Sequence, residues 1–211
     1  LVGTLLSNEP GMSVRIGRKS RMGISAIIDS PPDFYRPGTI YMACGRRGYV
    51  GLVCLAAGRL DMAAAVDPEY LKRSGGPAPA LRCILRQVHL PAASQMASTR
   101  WRGTPLLTRR RRRVAGHRLF VLGDAAGYVE PFTGEGIAWA LASAFALAPL
   151  AAQGVRQWDD SLITRWTTLH RNLIGRRQRS CRLVTRLLRQ PALTSTMVRA
   201  LSIWPHLARP V

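Results

Sequence analysis

The sequence is poor in acid. Eleven Asp and Glu stand against 31 Lys and Arg, and beyond Asp160 there is no carboxylate at all, while ten Arg occur there. The net charge is +20 over 211 residues. Lysine is scarce as well: Lys19 and Lys72 are the only two, so the basic side is almost wholly arginine. A charge of this size suggests nucleic acid. Selection for phosphate contacts usually leaves a mixture of Lys and Arg, whereas an arginine excess beside plentiful Ala, Gly and Pro also arises from composition bias. Aromatic residues make up 7 % and form no ladder on which bases could stack. No nucleic-acid-binding motif occurs, and no nucleic-acid partner is expected.

Other scarcities exclude further classes. The cysteines at 44, 54, 83 and 181 include no Cys-x-x-Cys pair, and no His cluster accompanies them, which argues against zinc. A turn centred between Arg46 and Arg47 sets Cys44 opposite Tyr49 and Cys54 opposite Thr39, so no cross-strand disulfide is expected. Buried, reduced thiols in a cytoplasmic protein follow. Residues 1–20 lack the long apolar run of a signal peptide. The apolar run Ile137–Ala152 is shorter than the ~20 residues of a membrane span, and Pro149 interrupts it, so no transmembrane helix is expected. No internal repeat occurs.

What is present is enough apolar sequence for a core: 47 % of residues are hydrophobic. Residues 1–38 read as strand and loop, with Ser25–Ile28 a short apolar run. Thr39–Cys44, Tyr49–Leu55 and Arg59–Val66 are separated by Gly45-Arg46-Arg47-Gly48 and Ala56-Ala57-Gly58, spacers that suit tight turns. In the third run Leu60, Met62, Ala64 and Val66 alternate with exposed positions, which predicts an antiparallel meander buried on one face. Asp67 and Pro68 mark a helix start, with Asp67 as N-cap. Ser74–Pro79 breaks that helix, and a second runs over about Ala80–Leu90. Thr104–Thr108 reads as a strand, Arg109–Arg113 as a solvated run, and Arg118–Leu122 as an apolar strand. A helix rich in Ala and Leu runs from Gly134 to about Ala148. Ser161–Gln190 reads as one arginine-coated amphipathic helix, ended by Pro191. The last helix carries Leu193, Met197, Leu201 and Trp204 on one stripe.

The stretch Leu119–Ile137 carries the chemistry. A strand delivers Asp124 to a sheet edge, where ligands bind in α/β folds. Gly123 and Gly127, with Ala125 and Ala126, leave the backbone bare to an anion, and the Asp124 carboxylate can accept bonds from sugar-type hydroxyls. Ten residues on, Thr133-Gly134-Glu135-Gly136 opens a helix whose unpaired N–H groups and positive dipole end favour electron density on a ligand. Pro131 stiffens the link between the two.

Gly123-Asp-Ala-Ala-Gly127 followed by Pro131-Phe-Thr-Gly-Glu-Gly-Ile137 resembles the second FAD-binding motif of the flavoprotein monooxygenase and reductase superfamily. That group includes the p-hydroxybenzoate hydroxylase-like monooxygenases and the geranylgeranyl reductases. The resemblance implies FAD as cofactor, with Asp124 on a ribityl hydroxyl. Gly123 and Ala125 belong to the same turn. Gly134, Glu135, Gly136 and Ile137 would give backbone contacts to the isoalloxazine, and Pro131 would line its face. A helix N-terminus near N1 of the ring favours its reduced, anionic form by about 1 kcal/mol. The flavin carries the redox chemistry and the protein orients it. No residue reads as an obligatory acid or base; Tyr128, Glu130 and His117 are candidates by chemistry alone.

The meander resembles the substrate-domain sheet of the same group. Geranylgeranyl reductases carry Tyr-x-Trp-x-Phe-Pro there, where this chain has Tyr41-Met42-Ala43-Cys44-Gly45-Arg46. The expectation is therefore a generic FAD-dependent oxidoreductase, monooxygenase- or reductase-like. Its substrate would be a small apolar or aromatic molecule and its electron donor NAD(P)H. The expected fold is mixed α/β: part of a Rossmann-like FAD domain, an antiparallel-sheet substrate domain and C-terminal helices. The boundaries are 1–103 for the sheet domain, 104–152 for the FAD-domain portion and 153–211 for the helices. The Gly-x-Gly-x-x-Gly of the family's first βαβ unit does not occur. The chain thus reads as the C-terminal portion of a family protein, expected to bind FAD poorly alone. Two alternatives remain. One is a basic protein for nucleic acid or anionic membrane, using Arg109–Arg113 and the 165–189 helix. The other is an inactive flavoprotein fragment.

Overall fold

Short apolar runs between glycine-bearing turns build the meander that the sequence predicts. β3 (Ile40–Gly45), β4 (Gly48–Cys54) and β5 (Leu60–Val66) are antiparallel neighbours, with Cys44 opposite Tyr49 as the two-residue turn requires. β2 (Met22–Ile28) pairs with the far side of β5, and β6 (Arg102–Leu106) completes the order β3-β4-β5-β2-β6. The period of two puts Ile24, Ile28, Val50, Leu52, Leu60, Met62 and Val66 on one buried face. The amphipathic helix α2 (Pro77–Gln87) covers it with Leu81, Ile84 and Leu85. The other face leaves Ile27, Ile40 and Met42 exposed. All four cysteines are free thiols, Cys181 being buried.

In the computed structural model the described residues are 6, 11–130, 132 and 134–208. They fall into two units. The sheet unit takes residues 21–105 and 184–208; the other takes the described residues of 1–20 together with 106–183. Pro131 and Thr133 lie outside the described residues.

In the sheet unit, α1 (Pro68–Arg73) follows Asp67, but that side chain makes no capping bond. Its carboxylate instead lies 3.6 Å from Arg21 and 4.0 Å from Arg47 and from Arg189. Arg21 is fully buried, 5.6 Å from the Tyr49 ring centroid, and a buried guanidinium requires a counter-charge more than a helix end requires a cap. The break before α2 is Ser74–Gly76, and the helix then starts at Pro77, three residues ahead of expectation. α6 (Pro191–Ile203) leaves Leu193 and, just beyond it, Trp204 half exposed, so the expected apolar stripe is only partly buried.

The other unit departs further from expectation. Arg109–Arg113 is only in part a solvated run: Arg110, Arg112 and Arg113 are exposed, but Arg109–Arg111 forms β7, central in a three-stranded sheet between β1 (Val14–Ile16) and β10 (Gly127–Tyr128). Alternation turns Arg111 inward, leaving it 6 % exposed. The apolar strand before Asp124 is only β9 (Leu119–Phe120), paired with β8 (Ala115–Gly116). Past it the backbone serves other partners: Val121 N–H bonds Val114 O, and Val121 O accepts the indole N–H of the fully buried Trp166. The helix expected to end near Ala148 is α3 (Gly136–Arg156), 21 residues long. Pro149 sits on its exposed side and leaves the Phe145 carbonyl without its helical donor. By length and composition this helix is able to span a membrane, contrary to the expectation from Ile137–Ala152, a test that core helices of soluble proteins also pass. Ser161–Gln190 is not one helix. α4 (Ser161–His170) and α5 (Arg176–Leu187) flank a π-helical turn over Arg171–Gly175. The wide turn shifts the phase, burying Ile174 against Val129 and Trp139 while Leu169 is left exposed.

Candidate functional site

The motif residues come together in the unit that contains α3. Gly123–Ala125 makes a tight 3₁₀ turn, with Gly123 at φ +57°, a left-handed conformation that favours glycine. Two restraints hold the turn. Ala126 N–H bonds Gly123 O at 3.0 Å, and Arg111 Nε donates to Ala125 O at 2.8 Å. The same guanidinium reaches Met12 O through Nη1. Burial and the neighbouring Arg109 lower the pKa of Arg111, a sign that the site holds a charge at some cost.

Asp124 projects from this turn with no hydrogen bond or ion pair to any described residue. Partial burial raises its pKa, and Arg109 opposes the rise without cancelling it. Arg109 stands opposite Tyr128 in the β7–β10 register. The Tyr128 hydroxyl is itself pushed up by burial and by the Asp124 charge.

Facing this turn is the start of α3. Gly134 has φ +71°, and no described atom lies within 4 Å of where a Cβ would stand on Gly134 or Gly136. No side chain caps the helix among the described residues. The first bonded amide is Trp139 N–H, to Glu135 O at 2.9 Å, so the amides of Gly136, Ile137 and Ala138 lack helical acceptors. Asp124, Gly127, Tyr128, Glu135, Gly136 and Trp139 line the hollow between the two elements, with Val129 and Cys181 at its back. Bare backbone, amides without helical acceptors and carboxylates without a partner among the described residues suit a ligand that has both hydroxyls and an electron-rich edge. FAD matches that chemistry, and chain neighbours aside no described atom stands within 4 Å of a Cβ built on Gly134 or Gly136.

The sequence-based site is thus largely gathered in one place: Gly123, Asp124 and Ala125 on one side, and Gly134, Glu135, Gly136 and Ile137 on the other. Ala125 contributes its carbonyl to Arg111 rather than to the hollow. The Ile137 side chain is 77 % exposed, so only its backbone belongs to the helix start. Glu130 is buried, and its carbonyl accepts from the Cys181 thiol at 3.7 Å. His117 lies outside the hollow, 3.7 Å from Asp160 and edge-on to Trp158. The sequence reading missed Arg109, Arg111, Trp139 and Cys181. Trp139 had one usable signal, a bulky aromatic in the first turn of an otherwise Ala- and Leu-rich helix. A larger open cleft, about 660 Å³, lies in the sheet unit near Ser25, Asp61, Gln95, Arg100 and Arg102, and holds none of the motif residues.

No protein-family model and no curated protein matches the chain. Solved structures do. The flavin-dependent halogenase BrvH from Brevundimonas sp. BAL3 superposes with a TM-score of 0.63 at 14 % identity, over 88 % of this chain and 35 % of that one. PqsL from Pseudomonas aeruginosa, a probable FAD-dependent monooxygenase, gives 0.61 at 14 %, over 89 % and 53 %. The tryptophan 6-halogenase SttH from Streptomyces toxytricini gives 0.60 at 17 %, over 79 % and 32 %. The chain therefore spans about a third to a half of the length of these structures. At such identities the likeness is one of fold: this mixed α/β chain shares the architecture of part of the flavin-dependent halogenases and FAD-dependent monooxygenases.

Proposed function

We propose that the chain is the flavin-contacting and substrate-sheet portion of an FAD-dependent oxidoreductase, of the halogenase and monooxygenase kind. The observation that carries the reading is the juxtaposition of the unpaired Asp124 with the bare, uncapped start of α3 across one hollow. Asp124 would accept hydrogen bonds from the ribityl chain. The amides of Gly136, Ile137 and Ala138 would donate to the pyrimidine edge of the flavin, where the helix dipole stabilises negative charge. Gly134 and Gly136 keep the approach open, and Arg111 holds the Gly123–Ala125 turn against reorientation. Bound FAD supplies the redox chemistry, while these residues bind and orient it. The exposed Ile27, Ile40 and Met42 on the five-stranded sheet suit an apolar or aromatic substrate. NAD(P)H as donor and a cytoplasmic location complete the proposal.

The test is flavin binding by the 211-residue chain and by Asp124→Ala, followed by flavin fluorescence. Asp124 is expected to contribute about tenfold in affinity, the size of one or two bonds to a charged acceptor. Unchanged binding in Asp124→Ala removes Asp124 from the site. Absence of flavin binding in every form, at millimolar ligand, removes the reading.

A further inference from the structure

The cleft of about 660 Å³ in the sheet unit holds none of the flavin-motif residues, and charge of both signs gathers in it. Asp29 and Asp61 line it together with Arg100 and Arg102, and all four side chains are exposed. The sheet sorts them by sign. Asp61 on β5 stands opposite Ile27 on β2, and Asp29 follows two residues after Ile27. β6, which carries Arg102, is the neighbour of β2 on its other side. Two strand spacings, about 9–10 Å, therefore lie between the strands of Asp61 and Arg102. Ile27, 48 % exposed, forms an apolar floor between them beside Ser25. The wall that carries Arg100 is fastened. Thr99 Oγ1 donates to Gln95 O at 2.7 Å, Trp101 Nε1 donates to Met96 O at 3.2 Å, and Gln95 Oε1 accepts the Ser30 N–H at 3.3 Å. Met96, in the middle of this wall, is fully buried against the sheet core.

We propose that this cleft binds a small zwitterion with an apolar body, of the amino-acid class. Its ammonium lies on the Asp29 and Asp61 carboxylates, its carboxylate on the Arg100 and Arg102 guanidiniums, and its apolar body over Ile27. The ammonium and carboxylate of an α-amino acid, with a hydrogen bond of about 2.9 Å at each end, span roughly 9 Å. That length matches the gap between the two strands. The arginine fork takes a carboxylate in two parallel bonds, and two carboxylates can share the three donors of an ammonium. A ligand of one sign gains one side of the cleft and meets like charge on the other. A plain carboxylate faces Asp29 and Asp61, and a plain amine faces Arg100 and Arg102. The cleft thus selects against simple anions although the chain as a whole carries +20. The site is separate from the flavin hollow and its occupancy requires no flavin.

The experiment is an NMR titration of the ¹⁵N-labelled 211-residue chain, followed at the backbone amides of Ser25–Ile27 and Arg100–Arg102. Three probes share one ring: L-phenylalanine, 3-phenylpropionate, which lacks the ammonium, and 2-phenylethylamine, which lacks the carboxylate. L-Leucine is a second zwitterion. Both zwitterions are expected to move these amides at millimolar concentration. Each single-charge probe is expected to bind about fivefold more weakly than L-phenylalanine, the worth of one exposed ion pair. The four charged side chains are exposed, so their replacement is expected to leave the fold intact. Asp29→Asn with Asp61→Asn is expected to bind L-phenylalanine and 3-phenylpropionate equally. Arg100→Gln with Arg102→Gln is expected to bind L-phenylalanine and 2-phenylethylamine equally. A single-charge probe that binds the unaltered chain as tightly as L-phenylalanine overturns the zwitterion assignment, and so does a double variant that keeps the original preference. Amides that stay in place with both zwitterions at tens of millimolar remove the site. Flavin binding at the Asp124 hollow is independent of each of these outcomes.

Discussion

Arg111 offers the sharpest test of how the Asp124 turn is held. Its side chain is 6 % exposed and donates to two backbone carbonyls, Ala125 O at 2.8 Å and Met12 O. Bonds from a charged donor contribute about 1.5–3 kcal/mol each, so the pair supplies roughly 3–6 kcal/mol before costs. Against this stands the burial of a guanidinium beside Arg109, the effect that lowers its pKa. Arg111→Met keeps most of the aliphatic stem and removes both bonds together with the buried charge. The expected net loss is about 2–4 kcal/mol, a large share of the roughly 5–15 kcal/mol that holds a domain together. Arg111→Lys keeps the charge but loses the fork, and is expected to lose about half as much.

The assay is urea unfolding at neutral pH, read as a fall in midpoint at constant slope. A second readout separates this role from general packing. Arg111 does not line the hollow, yet it holds the carbonyl of Ala125, next to Asp124. Riboflavin affinity is therefore expected to fall in Arg111→Met under conditions where the variant remains folded. Arg109→Gln, which removes the like charge next to it, is expected to leave the turn intact. A loss below about 0.5 kcal/mol in Arg111→Met, the range of an ordinary surface change, refutes the reasoning, as does full retention of stability and affinity in Arg111→Lys.

Two further predictions concern the scaffold. A Cβ on Gly48 would lie 2.7 Å from Ala65 O and 3.0 Å from Val66 Cα, both backbone atoms of the paired strand. Gly48→Ala is expected to cost about 1–3 kcal/mol in denaturant unfolding by overpacking, and a neutral result would show that β4 and β5 separate more easily than their register implies. His170 is buried edge-on to Trp166, and burial depresses its pKa below the ordinary 6.5. Below about pH 6.5 the unfolded chain then binds the proton that the native state refuses, so stability is present above that pH and falls as acid is added. His170→Phe is expected to flatten the urea midpoint between about pH 7.5 and 5.5, and an unaltered slope would exclude His170 as its source.

The meander was legible because it is a two-letter problem. Alternation fixed the buried face, and the turn spacer fixed the register down to Cys44 opposite Tyr49. The helix start was legible to within two residues, expected at Gly134 and found at Gly136, for a similar local reason, since only a few residues are needed to open a helix and none of them depends on distant contacts. What failed were elements whose pairing is remote. Nothing within Arg109–Arg113 says that Val14–Ile16 lies on one side and Gly127–Tyr128 on the other, and without those neighbours the buried Arg111 looks as solvated as the exposed Arg110, Arg112 and Arg113. The long helix beyond Ser161 failed differently. Its apolar spacing is helical throughout, but the one-residue slip at Arg171–Gly175 is set by what Ile174 packs against, the Val129 and Trp139 side chains, and period alone does not carry that. The buried indole of Trp139, without an acceptor among the described residues, belongs to the same class, because its identity is in the sequence but its surroundings are a property of the packed site.

The shortage of acid with which the sequence begins explains several of these outcomes together. A chain with so few carboxylates cannot pair each arginine that folding draws inward. Asp67 accordingly lies near three guanidiniums, those of Arg21, Arg47 and Arg189, and is lost to its helix as a cap. Other arginines take backbone carbonyls as acceptors: Arg111 those of Ala125 and Met12, and Arg82 that of Ser94 at 2.9 Å. Carbonyls at turns and loop ends are available because no ladder uses them, so arginine becomes the residue that fastens loops, the Asp124 turn among them. Part of the positive charge is therefore spent on internal architecture. Asp124, an exposed carboxylate at the edge of the hollow, has Arg109 close enough to influence its titration and no bond to any described residue, as is also true of the exposed Asp29, Asp33 and Asp61.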